Sequence, residues 1–483
     1  MLESNSHKEG HTNRSRSAWV VLKAVVMAGG KGTRLRPLTY TKPKPLLPLA
    51  GEPAIVRLVH KLARDGIEDV IVTTNYFARL LRETLGDGSD YGLRIQHVEE
   101  KTPLGTAGSV KNSESLIDET FVVVQGDNQF EFRLDEIVSA HRKLGPMVTM
   151  ALVRVENPSE YGIAELSDGR VTRFLEKPAP HECFSNLINA GIYVVEPDAL
   201  RLIPEGNPFD FSRDLFPHML KSRIALGGCP VGGFWVDVGD PRSYLKANSW
   251  ALDNIKTKGT KKSAHTPRAS NSIISKSATL KGPIYLGDNV RIHKDVLVGP
   301  YACIGDGSEI SSGAKITFSV VYENTQIGAN AVLDTCIVAE MCKIGDRVQI
   351  ERNTLIGAGT ELGKDSCVLA ESKVGPFAVV KPRALVQGTL TPFANQIEKV
   401  SQLIEKSPSG VRLTIEEARV CGVLCELGEA DASSVSRFAN VPQSTADSIL
   451  ISLQEQGIVI SFETVPRVYS LSQEDLEHAR KET

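Results

Sequence analysis

At 483 residues the chain is longer than one hydrophobic core ordinarily organises, so two or three domains are expected. Its 55 basic and 58 acidic residues leave a net charge of -3, which excludes a global field for capturing nucleic acid or an anionic membrane; any polyanion has to be bound locally. The eight cysteines form no C-x-x-C pair of the zinc or redox type, which fits a reducing, cytoplasmic setting, and no run of about 18 apolar residues offers a membrane span.

Residues 1–19 are polar and lack the apolar core of a signal peptide, so they read as a disordered tail. Over residues 20–252 short apolar runs alternate with amphipathic stretches, the rhythm of a Rossmann-like α/β domain. VVLKAVVMA, EDVIVTT, LRIQHV and TFVVVQGD are read as strands, and in open α/β sheets ligands gather at the carboxyl ends of strands. The first of these runs into Ala28-Gly29-Gly30-Lys31-Gly32-Thr33-Arg34, and the fourth ends at Asp127. A glycine-rich turn lets backbone N–H groups approach a phosphate closely, although such a turn alone is equally a structural strand-to-helix connection. What favours the phosphate is the cationic content that follows. Arg34 can clamp phosphate oxygens, and Lys44, stiffened by Pro43 and Pro45, can meet charge that develops in a transition state.

Residues 253–272 form a basic, apolar-poor linker. Over residues 273–395 an aliphatic residue recurs every six positions, in one unbroken phase through Ile344, Ile350, Ile356, Leu362, Val368, Val374 and Val380, preceded by Ile304, Ile310, Ile316, Ile327 and Leu333. This hexapeptide repeat places one aliphatic side chain per six-residue step inside a left-handed parallel β-helix. Stacked coils favour self-association, so a homo-oligomer is expected. The lone histidine of the repeats, His293, reads as a surface residue rather than as an acyltransferase base.

Residues 401–483 return to helical periodicity, with three helices and a β-wing expected, the order of a winged helix-turn-helix. From residue 414 to 470 three basic residues face eight acidic ones, a balance of -5, and residues 443–456 contain no lysine or arginine. Phosphate neutralisation dominates DNA affinity, so DNA is an unsuited partner and a protein contact is expected. The order of elements resembles the sugar-responsive regulators of the TrmB class.

GGKGTRLRPLT followed by KPKPLLPLAG resembles the signature of nucleotide-sugar pyrophosphorylases, the sugar-1-phosphate nucleotidyltransferases; no G-K-[ST] closes the run as in a Walker P-loop. The resemblance continues in order through VQGDN at Asp127, Tyr161-Gly162, Glu176-Lys177-Pro178, Asn189-Ala190-Gly191 and WVDVG at Asp237. It implies a nucleotide held by Ala28, Gly29, Gly30, Gly32, Thr33, Glu100, Gly105 and Thr106, and a sugar held by Gly162, Glu176 and Asn189. It further implies that Arg34, Lys44 and Lys177 act on the phosphates, and that Asp127 and Asp237 hold one Mg²⁺. The sugar phosphate would attack the nucleotide α-phosphorus in line, and pyrophosphate would leave. An ionised phosphate nucleophile needs no general base.

Residues 104–108, LGTAG, look most like the loop of mannose-1-phosphate guanylyltransferases, which also carry a C-terminal β-helix. Uridylyl- and thymidylyltransferases commonly place glutamine five residues before Gly105, where this chain has Glu100. A carboxylate accepts only, and guanine offers two adjacent donors at N1 and N2, so GTP with mannose 1-phosphate is expected. A glucose-1-phosphate uridylyl- or thymidylyltransferase is the alternative. A silent regulatory paralogue is opposed by the intact Arg34, Lys44, Asp127, Lys177 and Asp237, and a sugar-sensing transcription regulator by the acidic winged helix.

Overall fold

A computed structural model describes residues 22–75, 77–255 and 270–390, together with parts of 417–471. The expected tail and most of the expected linker lie outside the described residues.

The first four predicted strands form as Lys23–Met27, Asp69–Thr74, Arg94–Glu99 and Phe121–Gln125. They are mutually parallel in the spatial order third, second, first, fourth, the Rossmann-like arrangement. The first, second and fourth are rich in valine and isoleucine because helices such as Ala54–Arg64 and Leu134–Leu144 cover the sheet's faces, while the third, at the edge, is mostly polar. Beyond Phe121–Gln125 the sheet becomes mixed. Leu187–Val195 joins antiparallel, followed by Val148–Arg154, Leu226–Pro230, Arg170–Glu176 and Gly162–Ser167, giving nine strands. A separate two-stranded ladder pairs Asn128–Phe130 with Trp235–Asp237 and sets Asp237 opposite Asn128.

From Ile273 to Leu390 the chain winds into three parallel sheets of seven strands each, consistent with the left-handed hexapeptide β-helix. All twelve aliphatic residues of the repeat point inward and are at most 5% exposed. The break in phase after Ile316 has a geometric cause. The next inward residue is Val321, five positions on, and the step from Leu333 to Val338 is again five. These two short coils turn through Phe318 and Thr335, both with left-handed backbone, as are the corners at Asn289, Asn324, Asn330 and Asn353. Cys303 and Cys336 are buried, and burial pushes each thiol up to about 12, so both are packing residues. His293 lies at the surface, its Nε2 2.7 Å from Glu309 Oε1.

The catalytic-domain and β-helix cores are continuous. Leu35, Leu47, Val236 and Tyr244 pack in one cluster with Tyr322, Ile337, Ala339 and Leu355 of the coils. At the edge of this contact, Gly51 turns between two short strands at φ +83°, and a Cβ there would lie 2.0 Å from the Tyr285 ring. Gly51→Ala therefore combines a strained left-handed alanine with overpacking, and should cost about 1–3 kcal/mol. Urea melts of the full chain measure this cost.

In the C-terminal region the helix Gln443–Glu455 is followed by the antiparallel wing Val459–Phe462 and Val468–Leu471. A third strand, Glu429–Asp431, pairs with Val468–Leu471. Among the described residues, no helix is long and apolar enough to cross a membrane.

Candidate active site

A cavity of about 630 Å³ opens at the carboxyl ends of the parallel strands. Eleven expected residues, Gly29, Gly30, Arg34, Lys44, Glu100, Gly105, Thr106, Gly162, Glu176, Lys177 and Asn189, line it, together with Asp127 and Asp237. Ala28, Gly32 and Thr33 do not. Ala28 is buried, its N–H donated to Thr73 O, and Gly32 is spent on the turn, its carbonyl accepting from Thr39 Oγ1. Thr33 starts a short 3₁₀ turn and faces outward. At Gly30 a Cβ would meet nothing within 4 Å, so the cavity is open at that point.

Asp127 and Asp237 are far apart in sequence, and the two-stranded ladder joins their segments; Val238 N–H donates to Asp127 O at 3.2 Å. Between the two carboxylates lies Lys44, whose ammonium pairs with Asp127 Oδ2 and lies 3.1 Å from Asp237 Oδ1. Burial pulls the Lys44 pKa down, but the two carboxylates more than offset it, and the ammonium stays charged. Arg34 reaches the same group from outside, its Nη2 3.8 Å from Asp237 Oδ2. Among the described residues, Asp127 Oδ1 is buried without a hydrogen-bond partner. Two convergent carboxylates, one holding an unsatisfied oxygen and both already gathering a cation, suit a hard divalent ion.

Glu100 is buried at the root of the 104–108 loop. Its Oε2 accepts from Leu104 N–H at 3.0 Å and its Oε1 from Ser109 Oγ at 2.6 Å, so the carboxylate shapes the loop it was expected to serve only as a reader. Burial raises its pKa above the ordinary glutamate value.

On the opposite wall, antiparallel pairing sets Glu176 beside Gly162, and Lys177 N–H donates to Tyr161 O. Lys177 has φ +47°, a strained conformation for a residue with a Cβ and more so for one that precedes a proline, held here by that bond. Burial raises the Glu176 pKa, against the pull of Lys177. Asn189 spends its amide on the wall itself, donating to Tyr193 Oη and Ser212 Oγ and accepting from Gly191 N–H.

Sequence reasoning missed Asn75, Gln125, Asp210 and Ser212, which also line the cavity. Asp210 Oδ1 accepts from both the N–H and the hydroxyl of Thr106, tying the loop of Gly105 to the segment that presents Ser212. No spacing pattern marks Asp210 and Ser212, which lie over 100 positions from the loop they complete.

Residues 23–254 match the family described as Nucleotidyl transferase, residues 280–417 match the GMPPB C-terminal domain, and residues 411–473 match the Sugar-specific transcriptional regulator TrmB. The chain is 30% identical over 376 residues to a probable mannose-1-phosphate guanylyltransferase 3 of Oryza sativa, covering 76% of this chain and 100% of the relative. It is 33% identical over 318 residues to a mannose-1-phosphate guanylyltransferase of Mycobacterium tuberculosis, covering 64% and 82% respectively. A UTP–glucose-1-phosphate uridylyltransferase of Synechocystis is 30% identical over 358 residues, covering 69% and 92%. With similarity to such enzymes over about three quarters of its length and a cavity built at the expected strand ends, the chain belongs to the nucleotidyl transferase family and is a sugar-1-phosphate nucleotidyltransferase.

Proposed function

We propose that the chain transfers a guanylyl group from GTP to mannose 1-phosphate, giving GDP-mannose and pyrophosphate. The observation that carries the choice of base is the Glu100 carboxylate at the root of the LGTAG loop, lining the cavity. Each of its oxygens has one in-chain donor and keeps a second acceptor direction, which suits the adjacent donors of guanine and not the single imide donor of uracil. The match of residues 280–417 to the GMPPB C-terminal domain supports the same choice. Pyrophosphate release over a grid of nucleoside triphosphates and sugar 1-phosphates tests it. Turnover fastest with UTP and glucose 1-phosphate would install the uridylyltransferase reading, which the Synechocystis relative favours.

In this mechanism the bound sugar phosphate is its own nucleophile, and the protein positions it and balances charge. Arg34 and Lys44 face the nucleotide phosphates, and Lys177, fixed by its strained backbone, faces the sugar phosphate. Gly162, Glu176 and Asn189 form the sugar's wall. Asp127 and Asp237 would hold Mg²⁺, which supplies charge neutralisation for the pyrophosphate leaving group. Self-association through the β-helix belongs to the same proposal, with the exposed apolar residues Val332, Val379 and Leu385 as its candidate contacts.

Glu100 gives a pH test with a definite sign. Protonation removes an acceptor, and burial has raised the pKa, so kcat/KM for GTP should fall on acidification earlier than an ordinary glutamate, of pKa about 4.3, would cause. In Glu100→Gln that acid limb should disappear, and preference for GTP over UTP should shrink by about tenfold or more. An unchanged preference would remove the carboxylate from base recognition.

A further inference from the structure

We propose that the β-helix is part of the catalytic apparatus, with Lys42 as the positioning residue through which two of its coils set the place of Lys44. Lys42 lies on the catalytic domain, yet both of its acidic partners belong to the coils. Its Nζ is 3.1 Å from Glu323 Oε1 and 3.9 Å from Glu340 Oε2. Neighbouring Thr41 donates its hydroxyl to Glu340 Oε1 at 3.3 Å, and the Lys42 ammonium also lies 5.3 Å from the centre of the Tyr322 ring. Glu340 is 4% exposed, so its charge has little water to rely on and depends on this lysine.

The coupling to the active site is covalent and short. A single residue, Pro43, separates Lys42 from Lys44, and Pro45 follows. Proline fixes φ, and Pro43 stands at φ -65°, ψ 147°, so Lys42 and Lys44 move as one stiff unit. The far end of the segment is held by the same coil: Tyr322 Oη donates to Tyr244 Oη at 3.0 Å, and Tyr244 in turn donates to Pro48 O. A third contact, Lys373 Nζ to Arg34 O at 3.2 Å, reaches the other catalytic loop. The two cationic loops that meet the phosphates are therefore fastened to coils, whereas Glu176 and Asn189 on the sugar wall are held within the catalytic domain.

This inference rests on the assignment of Lys44 to the reacting phosphates. Its test is steady-state kinetics of the full chain, with the triphosphate and sugar phosphate that turn over fastest. Lys42→Met should lower kcat by about tenfold or more while KM for the sugar phosphate changes less than about threefold, because the displaced group acts in the transition state. Lys42→Arg should recover most of kcat, and adding Glu323→Gln to Lys42→Met should cost no further activity. The double variant Lys42→Met/Glu340→Gln leaves no buried carboxylate orphaned, since Glu323 is 41% exposed and keeps its water, so it reports the same loss if Lys42→Met folds poorly. A folded Lys42→Met or double variant with kcat within about twofold of wild type overturns the proposal, as does a loss strictly additive with Glu323→Gln. Lys44→Met, measured alongside, separates the two claims: activity retained there sinks the role of Lys44 itself, whatever Lys42 does.

Discussion

Replacing Asp127 by asparagine should lower kcat by about a thousandfold or more and raise the Mg²⁺ concentration needed for half-maximal rate. The amide keeps the volume of the carboxylate and one carbonyl oxygen but removes the charge. Asp127 supplies both the oxygen paired with Lys44 and the buried oxygen that has no partner among the described residues. A negative oxygen left unsatisfied at full burial is costly to folding, and such a cost persists where function needs the group. Asp127→Asn should therefore melt at a temperature equal to or above that of wild type without Mg²⁺, and should lose the upward shift that Mg²⁺ gives the wild type. Thermal melts with and without the ion check both. A wild-type melting shift retained in Asp127→Asn would place the ion elsewhere.

Lys44→Met should lower kcat by about 10²- to 10³-fold, the range for removing one preorganised charge from a transition state. It differs from Asp127→Asn in its pH signature. Without the ammonium, Asp127 and Asp237 confront each other uncompensated, and the Asp127 pKa, already raised by burial and by Asp237, rises further. A carboxylate whose folded pKa exceeds its unfolded value of about 3.9 destabilises the fold at neutral pH, and the penalty fades as pH falls through the folded pKa. The melting-temperature gap between wild type and Lys44→Met should thus be wide at pH 7.5 and narrow towards pH 5. The wild-type pairing has the opposite window. A lysine with raised pKa contributes stability that is complete below about pH 10.4 and is lost as pH rises beyond it. A gap constant from pH 5 to 7.5 would mean that the two carboxylates do not interact once the lysine is gone.

Legibility of this chain followed the kind of constraint each residue obeys. The inward aliphatic residues of the coils were readable because a six-residue period admits one inside position per step, and even the two five-residue steps left visible breaks, at Ile316 to Ile327 and at Leu333 to Ile344. The first, second and fourth strands were readable because each is a largely buried apolar run ending in a polar or glycine signal, whereas Arg94–Glu99, at the sheet's edge, is mostly exposed and shows only partial alternation. The antiparallel half of the sheet was not. Arg170–Glu176 alternates only loosely and is half exposed, and its place is set by pairing with Gly162–Ser167. The site divides the same way. Arg34, Lys44, Asp127, Lys177 and Asp237 sit in motifs whose order survives in the sequence, and the cavity gathers all five. Asp210 and Ser212 arrive through hydrogen bonds of tertiary origin. Glu100 was legible as a residue but not in its second task, because nothing in sequence tells that Leu104 and Ser109 each take one acceptor direction of its oxygens. The outward faces of the coils were equally silent, since the repeat encodes what is inside them.

The core shared by Leu47, Val236 and Tyr244 with Tyr322 and Leu355 bears on how such a chain can be recombined. Its catalytic and repeat segments are separate modules in sequence and a single unit in energy. A repeat array borrowed from a relative would have to bring its own matching aromatic and acidic face at Tyr322, Glu323 and Glu340, or leave an apolar scar beside the phosphates. The array's length can drift where coils are added at a free end, but the coils bearing these residues are fixed in register by the catalytic loop they support. Inheritance here acts on the pair, so the exchange of parts that sequence boundaries invite is closed off by packing.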